Sequence, residues 1–159
     1  MQMIRKTTRE DKNGLLDVAT ASGLFEPEQV GELAGMLGDH FDTEEPADVW
    51  LTDEENGKPV GVVYAAPERM TDGTWNLYLI AVHPEQQRTG RGKAMLEHIE
   101  KILASRGVRV LLVETAGTDD FAYVRLFYPK NGYTEEARIR EFYEAGADKI
   151  VFWKHLQGE

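Results

Sequence analysis

The chain of 159 residues has no cysteine, only two serines, and no apolar run long enough to cross a bilayer. Without cysteine there can be no disulfide framework, thiolate nucleophile or cysteine-bound metal. Neither Ser22 nor Ser105 lies in a G-x-S-x-G turn, so a serine hydrolase has no candidate nucleophile. The N-terminal stretch MQMIRKTTREDKNG also lacks an apolar leader segment. We therefore expect a soluble, cytoplasmic protein with no membrane partner.

Basic residues are also scarce. The 18 Lys and Arg residues face 28 Asp and Glu residues, which gives a formal net charge of −10. This balance weighs against non-specific binding to nucleic acid or to an anionic membrane. The four histidines are scattered, and no H-E-x-x-H motif accompanies them, so we expect no metal site.

Length and composition point to one ordinary domain that covers residues 1–159. The chain is 42% hydrophobic and 29% charged, as is typical of globular proteins rather than disordered ones. A chain of about 150 residues normally builds one core.

Apolar spacing predicts a first strand over residues 3–7 and then two helices, one that stops near Gly23 and one that starts at Glu26-Pro27. Asn56-Gly57 separates two β-branched runs and predicts a hairpin. A third antiparallel strand, TWNLYLIAV, follows and ends at His83-Pro84.

The second half alternates helices and strands. Residues 91–106 carry apolar side chains at helical spacing up to Gly107, and the run Val110–Val113 predicts a strand covered on both faces. A shorter helix from about Asp119 and a final pair of strands complete the order. The predicted fold class is mixed α/β (α+β), with a central, mostly antiparallel sheet of six to seven strands and four helices.

The turn between the third antiparallel strand and the helix at 91–106 is the most informative segment. A helix N-terminus presents unpaired N–H groups and a positive dipole, so it favours an anion. Gly90 and Gly92 allow a ligand to approach the backbone, and Arg88, Arg91 and Lys93 make the turn locally basic. These features predict a polyanionic ligand, although the glycines could also simply form a turn.

Two familiar phosphate motifs do not match this turn. The segment GRGKA departs from the P-loop pattern, and Met95 stands where a dinucleotide motif needs its third glycine. The segment Gln87–Gly92 instead resembles the Q/R-x-x-G-x-G/A motif of the GNAT superfamily of acyl-CoA-dependent N-acyltransferases. The upstream AVHPE and the predicted element order resemble that family too.

The resemblance implies a GNAT-like fold, acetyl-CoA as co-substrate, and N-acetyltransferase activity. It places the pyrophosphate of CoA on the turn, at Gln87, Arg88, Thr89, Gly90, Arg91, Gly92 and Lys93. In the family, the preceding strand is bulged and its backbone binds the pantetheine arm; the matching positions here are Ile80, Ala81 and Val82.

The resemblance assigns the proton donor for the departing thiolate to Tyr128, within YVRLFYPKNGY. A phenol with a pKa near 10 can protonate a thiolate that forms in the reaction. The alternative is that Tyr128 is one residue of the buried face of its helix. Phe121 stands where the family often has an Asn that contacts the cofactor, so we expect no polar side-chain contact with the cofactor from that position.

Some family members use a glutamate on the strand before the turn as general base, but TWNLYLIAV contains no acid. Glu114 is the substitute candidate, because it ends the apolar run of a strand and could attract a cationic amine and accept its proton. The alternative is that the strand simply emerges into solvent there.

We expect the acceptor to be a small-molecule primary amine that attacks the acetyl group directly. The alternatives are a lysine or protein N-terminus as acceptor, or a non-catalytic CoA-binding module. Many relatives are dimers, so a homodimer is also among the expected partners. Aromatic candidates for the acceptor site, most of them expected in the core, are Phe25, His40, Trp75, Tyr78, Phe142 and Tyr143.

Overall fold

A computed structural model describes residues 2–157 of the chain. Seven strands and four α-helices follow one another over this range. The elements are β1 (Gln2–Lys6), α1 (Lys12–Ser22), α2 (Pro27–Asp42), β2 (Val49–Glu55), β3 (Lys58–Pro67), β4 (Thr74–Val82), α3 (Arg91–Ser105), β5 (Val110–Ala116), α4 (Ala122–Lys130), β6 (Thr134–Glu144) and β7 (Ala147–His155). This order confirms the one predicted from the sequence.

The strands form a single sheet in the order β1-β2-β3-β4-β5-β7-β6. β1 with β2, β2 with β3, β5 with β7 and β6 with β7 are antiparallel pairs, and β4 with β5 is parallel. The predicted mixed, mostly antiparallel sheet is therefore confirmed. Local turn chemistry explains one hairpin, because Asn56 and Gly57 between β2 and β3 both have positive φ, at 52° and 83°.

By its contacts the chain divides into two compact units. The first contains the residues up to Ala66 together with Leu79–Ile102. Its core packs α1 and α2 onto β2 and β3, and α1 ends at Gly23 in the left-handed conformation. The buried members of this core are Leu15, Val18, Ala19, Leu33, Leu37, Trp50, Val62, Tyr64, Leu79 and Ala81.

The second unit contains Pro67–Tyr78 and the residues from Leu103 onward. Its sheet contributes the fully buried side chains of Leu111, Ile150 and Phe152. β5 does not match the expectation of a strand covered on both faces. Leu111 and Val113 are buried, whereas Val110 and Leu112 are only half-buried, because the second face also carries polar side chains.

A three-residue 3-10 turn, Asp119–Phe121, leads into α4, so the helix itself begins slightly later than the sequence predicts. β6, whose residues are all exposed, is the edge strand on one side of the sheet. Over residues 2–157, none of the helices has the length and apolar character that spanning a bilayer would need.

Candidate functional site

The turn between β4 and α3 has the backbone of an anion site. Arg88 and Gly90 have positive φ, at 63° and 84°. α3 begins at Arg91, and its first intrahelical bond runs from the Ala94 N–H to the Gly90 carbonyl, at 3.0 Å. The N–H groups of the first turn, up to Lys93, have no intrahelical acceptor and carry the positive end of the helix dipole.

Side chains of the turn hold its own backbone. Gln87 Nε2 donates to the Val82 carbonyl at 3.0 Å, and Thr89 Oγ1 donates to the Gln86 carbonyl at 2.7 Å. Two of the predicted CoA-binding side chains are thus bonded within the turn. They shape the loop, and its backbone N–H groups are what it offers to a ligand.

The three cations of the turn differ in their surroundings. Arg88 is exposed, and Lys93 is exposed and pairs with Glu97 at 3.2 Å. Arg91 instead points into the protein. Its guanidinium donates to both oxygens of Asp53, at 3.0 and 3.1 Å, and also to Glu55. The local basic charge that an anion would meet therefore comes from Arg88 and Lys93.

The Arg91 ion pair is buried. The Asp53 side chain is 0% exposed and that of Arg91 is 9% exposed. Burial acts to lower the pKa of Arg91, but its hydrogen bonds to Asp53 and Glu55 outweigh this and raise the pKa. The first residue of α3 is thereby joined to β2, and its charge is neutralised within the first unit.

β4 continues beyond its pairing with β5. The parallel register with β5 covers Thr74–Leu77 and ends with Leu77 opposite Val113, while β4 continues to Val82. Backbone hydrogen bonds flank the strand: the Glu68 N–H donates to the Thr74 carbonyl, and the His83 N–H donates to the Val60 carbonyl, both at 2.8 Å.

Within that segment Ala81 is buried, and Ile80 and Val82 are half-buried. Ala81 also belongs to the core of the first unit, together with Leu79. At the three predicted pantetheine positions, the side chains are thus buried or half-buried, and the backbone lies beyond the segment of β4 that pairs with β5.

Tyr128 is 3% exposed and lies on α4 among aromatic rings. Its ring is 5.5 Å from those of Tyr133 and Phe152, and 5.2 Å from that of Phe127, between centroids. Burial raises the pKa of the Tyr128 phenol far above its ordinary value, which makes the phenol a weaker acid than an exposed tyrosine. Tyr128 is thus part of the buried face of α4, and its phenol also carries a proton that it could donate.

Glu114 on β5 has a partner at each carboxylate oxygen. Asn76 Nδ2 donates to Oε2 at 3.0 Å, and Lys149 Nζ lies 2.9 Å from Oε1. The strand thus does not simply emerge into solvent at Glu114. Both carboxylate oxygens of Glu114 are therefore already bonded to side chains of neighbouring strands.

The two predicted catalytic residues lie on opposite faces of the sheet in the second unit. Val113 is opposite Phe152, and Glu114 is opposite Val151. Successive side chains of a strand point to opposite faces. Tyr128 packs against Phe152 and is therefore on the other face from Glu114.

The aromatic candidates for the acceptor site fall into separate groups. Phe25 packs against the core of the first unit, and His40 Nδ1 pairs with Asp48 at 2.7 Å. In the second unit Trp75 is buried, while the exposed Tyr78 donates to Glu68 at 2.7 Å. Phe142 and Tyr143, also in the second unit, are exposed and pack edge to face.

Sequence reasoning missed Asn76 and Lys149, the two partners of Glu114. Asn76 is 1% exposed, and its buried Oδ1 has no hydrogen-bond partner among residues 2–157. An asparagine inside the apolar run TWNLYLIAV was the available signal, because a buried amide must be bonded somewhere. Lys149 gave no such signal. Within residues 2–157, no three His, Asp or Glu side chains come together as metal ligands.

A comparison with family models decides the assignment. The model of the acetyltransferase (GNAT) family matches residues 16–133. The chain belongs to this family. The matched range includes the glycine-rich turn, Glu114 and Tyr128, whereas Phe142 and Lys149 lie beyond it. The resemblance carried by Gln87–Gly92 is thus confirmed at the level of the family.

Curated and solved GNAT proteins agree with this assignment. A 67-residue stretch is 37% identical to the ribosomal protein bS18-alanine N-acetyltransferase of Escherichia coli K12, over 42% of this chain and 44% of that one. The chain thus matches less than half the length of this curated relative.

Solved structures extend the likeness to the whole fold. A GNAT-family chain from Desulfovibrio desulfuricans superimposes with a TM-score of 0.94, at 28% identity, over 98% of this chain and 99% of that one. An aminoglycoside 6′-N-acetyltransferase complexed with coenzyme A does so with a TM-score of 0.78, at 18% identity, over 99% and 98%. At 18% identity, the similarity to the aminoglycoside acetyltransferase shows a shared fold and nothing more.

Proposed function

We propose that this GNAT protein is an N-acetyltransferase that moves an acetyl group from acetyl-CoA to a primary amine of a small molecule by direct attack. The observation that carries the proposal is the turn at Gln87–Lys93. Its positive-φ residues lead directly into the N-terminus of α3, whose first N–H groups have no intrahelical acceptor.

The residues of the turn fit the pyrophosphate of CoA. The N–H groups of Gly90–Lys93 would donate to its oxygens, and Arg88 supplies an exposed positive charge beside them. A solved GNAT protein of the same fold has been obtained with coenzyme A. The backbone of Ile80–Val82, which continues past the parallel register of β4, would donate to and accept from the amides of the pantetheine arm.

Acetyl-CoA supplies an activated acetyl group as a thioester. Glu114 would take a proton from the acceptor ammonium, because an alkyl amine with a pKa near 10 is mostly protonated at neutral pH and attacks only when neutral. Tyr128 would hold a proton on its phenolic oxygen and donate it to the thiolate sulfur that departs. The two groups would thus act from opposite faces of the sheet, Glu114 on the acceptor nitrogen and Tyr128 on the sulfur.

A protein N-terminus is the second candidate acceptor. The observation that favours it is the 67-residue stretch that is 37% identical to an enzyme whose name specifies a ribosomal-protein alanine. Both acceptors are primary amines, so the proposed roles of Glu114 and Tyr128 are the same for either one.

The test is thiol release from acetyl-CoA with two acceptor sets, one of small aliphatic amines and one of short peptides with a free N-terminal alanine. Small amines should be acetylated with the higher kcat/KM. A preference for the peptides would instead establish the second candidate. If acetyl-CoA binds but neither set releases thiol, the protein is a CoA-binding module and the proposed activity is wrong.

A further inference from the structure

The primary ammonium of Lys149 lies between a carboxylate and an aromatic ring. Its Nζ is 2.9 Å from Glu114 Oε1 and 4.1 Å from the centroid of the Phe142 ring. A carboxylate together with an aromatic face is the arrangement that recognises ammonium groups. The protein thus already holds one alkylammonium of its own at the carboxylate proposed to deprotonate the acceptor.

The backbone of the β6–β7 hairpin builds this arrangement. Ile139 is opposite Lys149 and Glu144 is opposite Ala147, so β6 advances five positions while β7 advances two. The irregular stretch includes Glu141, whose φ is 54° and whose N–H donates to Asp148 at 2.9 Å. These extra residues bring the Phe142 ring over the Lys149 ammonium.

Glu114 is held in a fixed orientation toward Lys149. Asn76 Nδ2 donates to its second oxygen at 3.0 Å, and Asn76 itself is 99% buried. Asn76, Glu114 and Lys149 lie on β4, β5 and β7 and form a polar row across three strands of one unit. Two other ionisable groups lie near the row. One is Tyr143, whose pKa is raised mainly by burial and also by the negative charge of Glu114. The other is the Arg138–Asp148 ion pair, at 2.6 Å.

We propose that Lys149 is an internal acetyl acceptor: its Nζ occupies the ammonium site of Glu114 and Phe142, and it is acetylated by this protein's own activity when no external amine is present. The inference rests on the proposed function. Lys149 gives one proton to Glu114, and the neutral Nζ attacks the thioester carbonyl. The new N–C bond forms and the C–S bond breaks. The nitrogen gives up its second proton as the amide forms, the departing sulfur takes up one proton, and CoA leaves as a thiol. The proton on Glu114 then passes to solvent.

Acetylation would change the site itself. An acetylated lysine carries no charge, so it no longer forms an ion pair with Glu114 and leaves that carboxylate to an external ammonium. External amines and Lys149 therefore compete for the same carboxylate. An added primary amine should slow the modification of Lys149 as its concentration rises.

Exposure distinguishes this reaction from spontaneous chemistry. Acetylation by acetyl-CoA in solution favours exposed lysines, and the Lys93 side chain is 63% exposed. The Lys149 side chain is only 13% exposed and is held in an ion pair. Preferential modification of Lys149 would therefore need the protein's own site.

The test is site-resolved mass spectrometry of the purified protein after incubation with acetyl-CoA and no acceptor. We expect Lys149 to be acetylated first, with a rate constant that does not depend on protein concentration. Glu114→Gln should slow it by about 100-fold, the lower range of general-base catalysis. Butylamine, added as the competing amine, should protect Lys149. The inference is overturned if Lys93 is modified faster than Lys149, or if Glu114→Gln leaves the rate unchanged.

Two controls separate this inference from the proposed function. Lys149→Arg keeps a cation beside Glu114 and should lose the modification while still binding acetyl-CoA. If acetyl-CoA binds and external amines are acetylated but Lys149 is not, only the inference is wrong. If the purified protein does not bind acetyl-CoA, the proposed function is wrong and the inference falls with it.

Discussion

Arg91 donates to both oxygens of the fully buried Asp53 and so joins the first residue of α3 to β2. The pair spans 38 positions of sequence. It places a cation at the positive end of a helix dipole, which is unfavourable in itself. The compensation comes from Asp53 and Glu55, so the charge of Arg91 is neutralised inside the first unit and is not offered to a ligand.

Removal of one partner of this pair should destabilise the fold. Arg91→Leu leaves the Asp53 charge buried without its cation, which costs about 3 kcal/mol for pairs of this kind. Urea denaturation should show this loss in the free energy of unfolding. The double variant Arg91→Leu/Asp53→Leu should recover most of it, because two apolar side chains leave no buried charge. An equal loss in both variants would contradict the account.

The same double variant tests which cation faces the anion. Its affinity for acetyl-CoA should stay within a few-fold of wild type, because the Arg91 side chain points inward. Arg88→Ala should weaken binding by about tenfold, as expected for loss of a charge-assisted hydrogen bond. Calorimetric titration of both proteins measures the difference. The reverse order of affinities would make Arg91 a phosphate ligand.

Tyr128→Phe should lower kcat by at least about 100-fold while acetyl-CoA affinity remains nearly unchanged. The reason is that only the phenolic proton is lost, whereas the packing against Phe152 and Tyr133 stays. Thiol-release kinetics and calorimetry on the same preparation separate the two effects. Unchanged turnover would show that Tyr128 has only its packing role in α4.

Acid should weaken the first unit through Asp11. The hydrogen bond from Arg5 is the main cause that lowers the pKa of Asp11 to about 2, from an ordinary 3.8. A carboxyl whose pKa falls on folding stabilises the protein above its unfolded pKa, and this contribution is lost as pH falls from about 4 to about 2. The lowered pKa of Asp11 contributes about 2 kcal/mol to the free energy of unfolding near neutral pH.

Asp11→Asn provides the control for that pH dependence. The variant should be less stable than wild type near neutral pH, and the difference in unfolding free energy should shrink between pH 4 and pH 2. Chemical denaturation at several pH values measures it. A difference that is constant with pH would show that the Arg5 pair does not set the stability of this region.

Local patterns in the sequence were sufficient for most of the fold. The end of α1 at Gly23 and the Asn56-Gly57 hairpin each depend on a few neighbouring residues, and the structure has both. The turn before α3 was also predictable, because glycine spacing and helix periodicity lie within one short segment. The prediction that residues 1–159 form one domain stays a prediction.

Long-range pairing could not be predicted in the same way. Whether Arg91 faces a ligand or the interior depends on Asp53, and the environment of Glu114 depends on Asn76 and Lys149. Those contacts join different strands. The sequence also predicted that β5 is covered on both faces, because its run Val110–Val113 is apolar. The polar row of Asn76, Glu114 and Lys149 crosses β5 one residue after that run.

Calorimetric titration with acetyl-CoA tests the central claim, that the turn at Gln87–Lys93 binds the pyrophosphate, most directly. Wild type should bind with micromolar affinity. Gly92→Asp should abolish binding with the fold intact, because the carboxylate repels the anion while an acid in the first turn suits the helix dipole. Gly35→Asp, at an exposed site on α2 with open space around it, is the matched control and should bind normally. Wild-type affinity in Gly92→Asp would contradict the account.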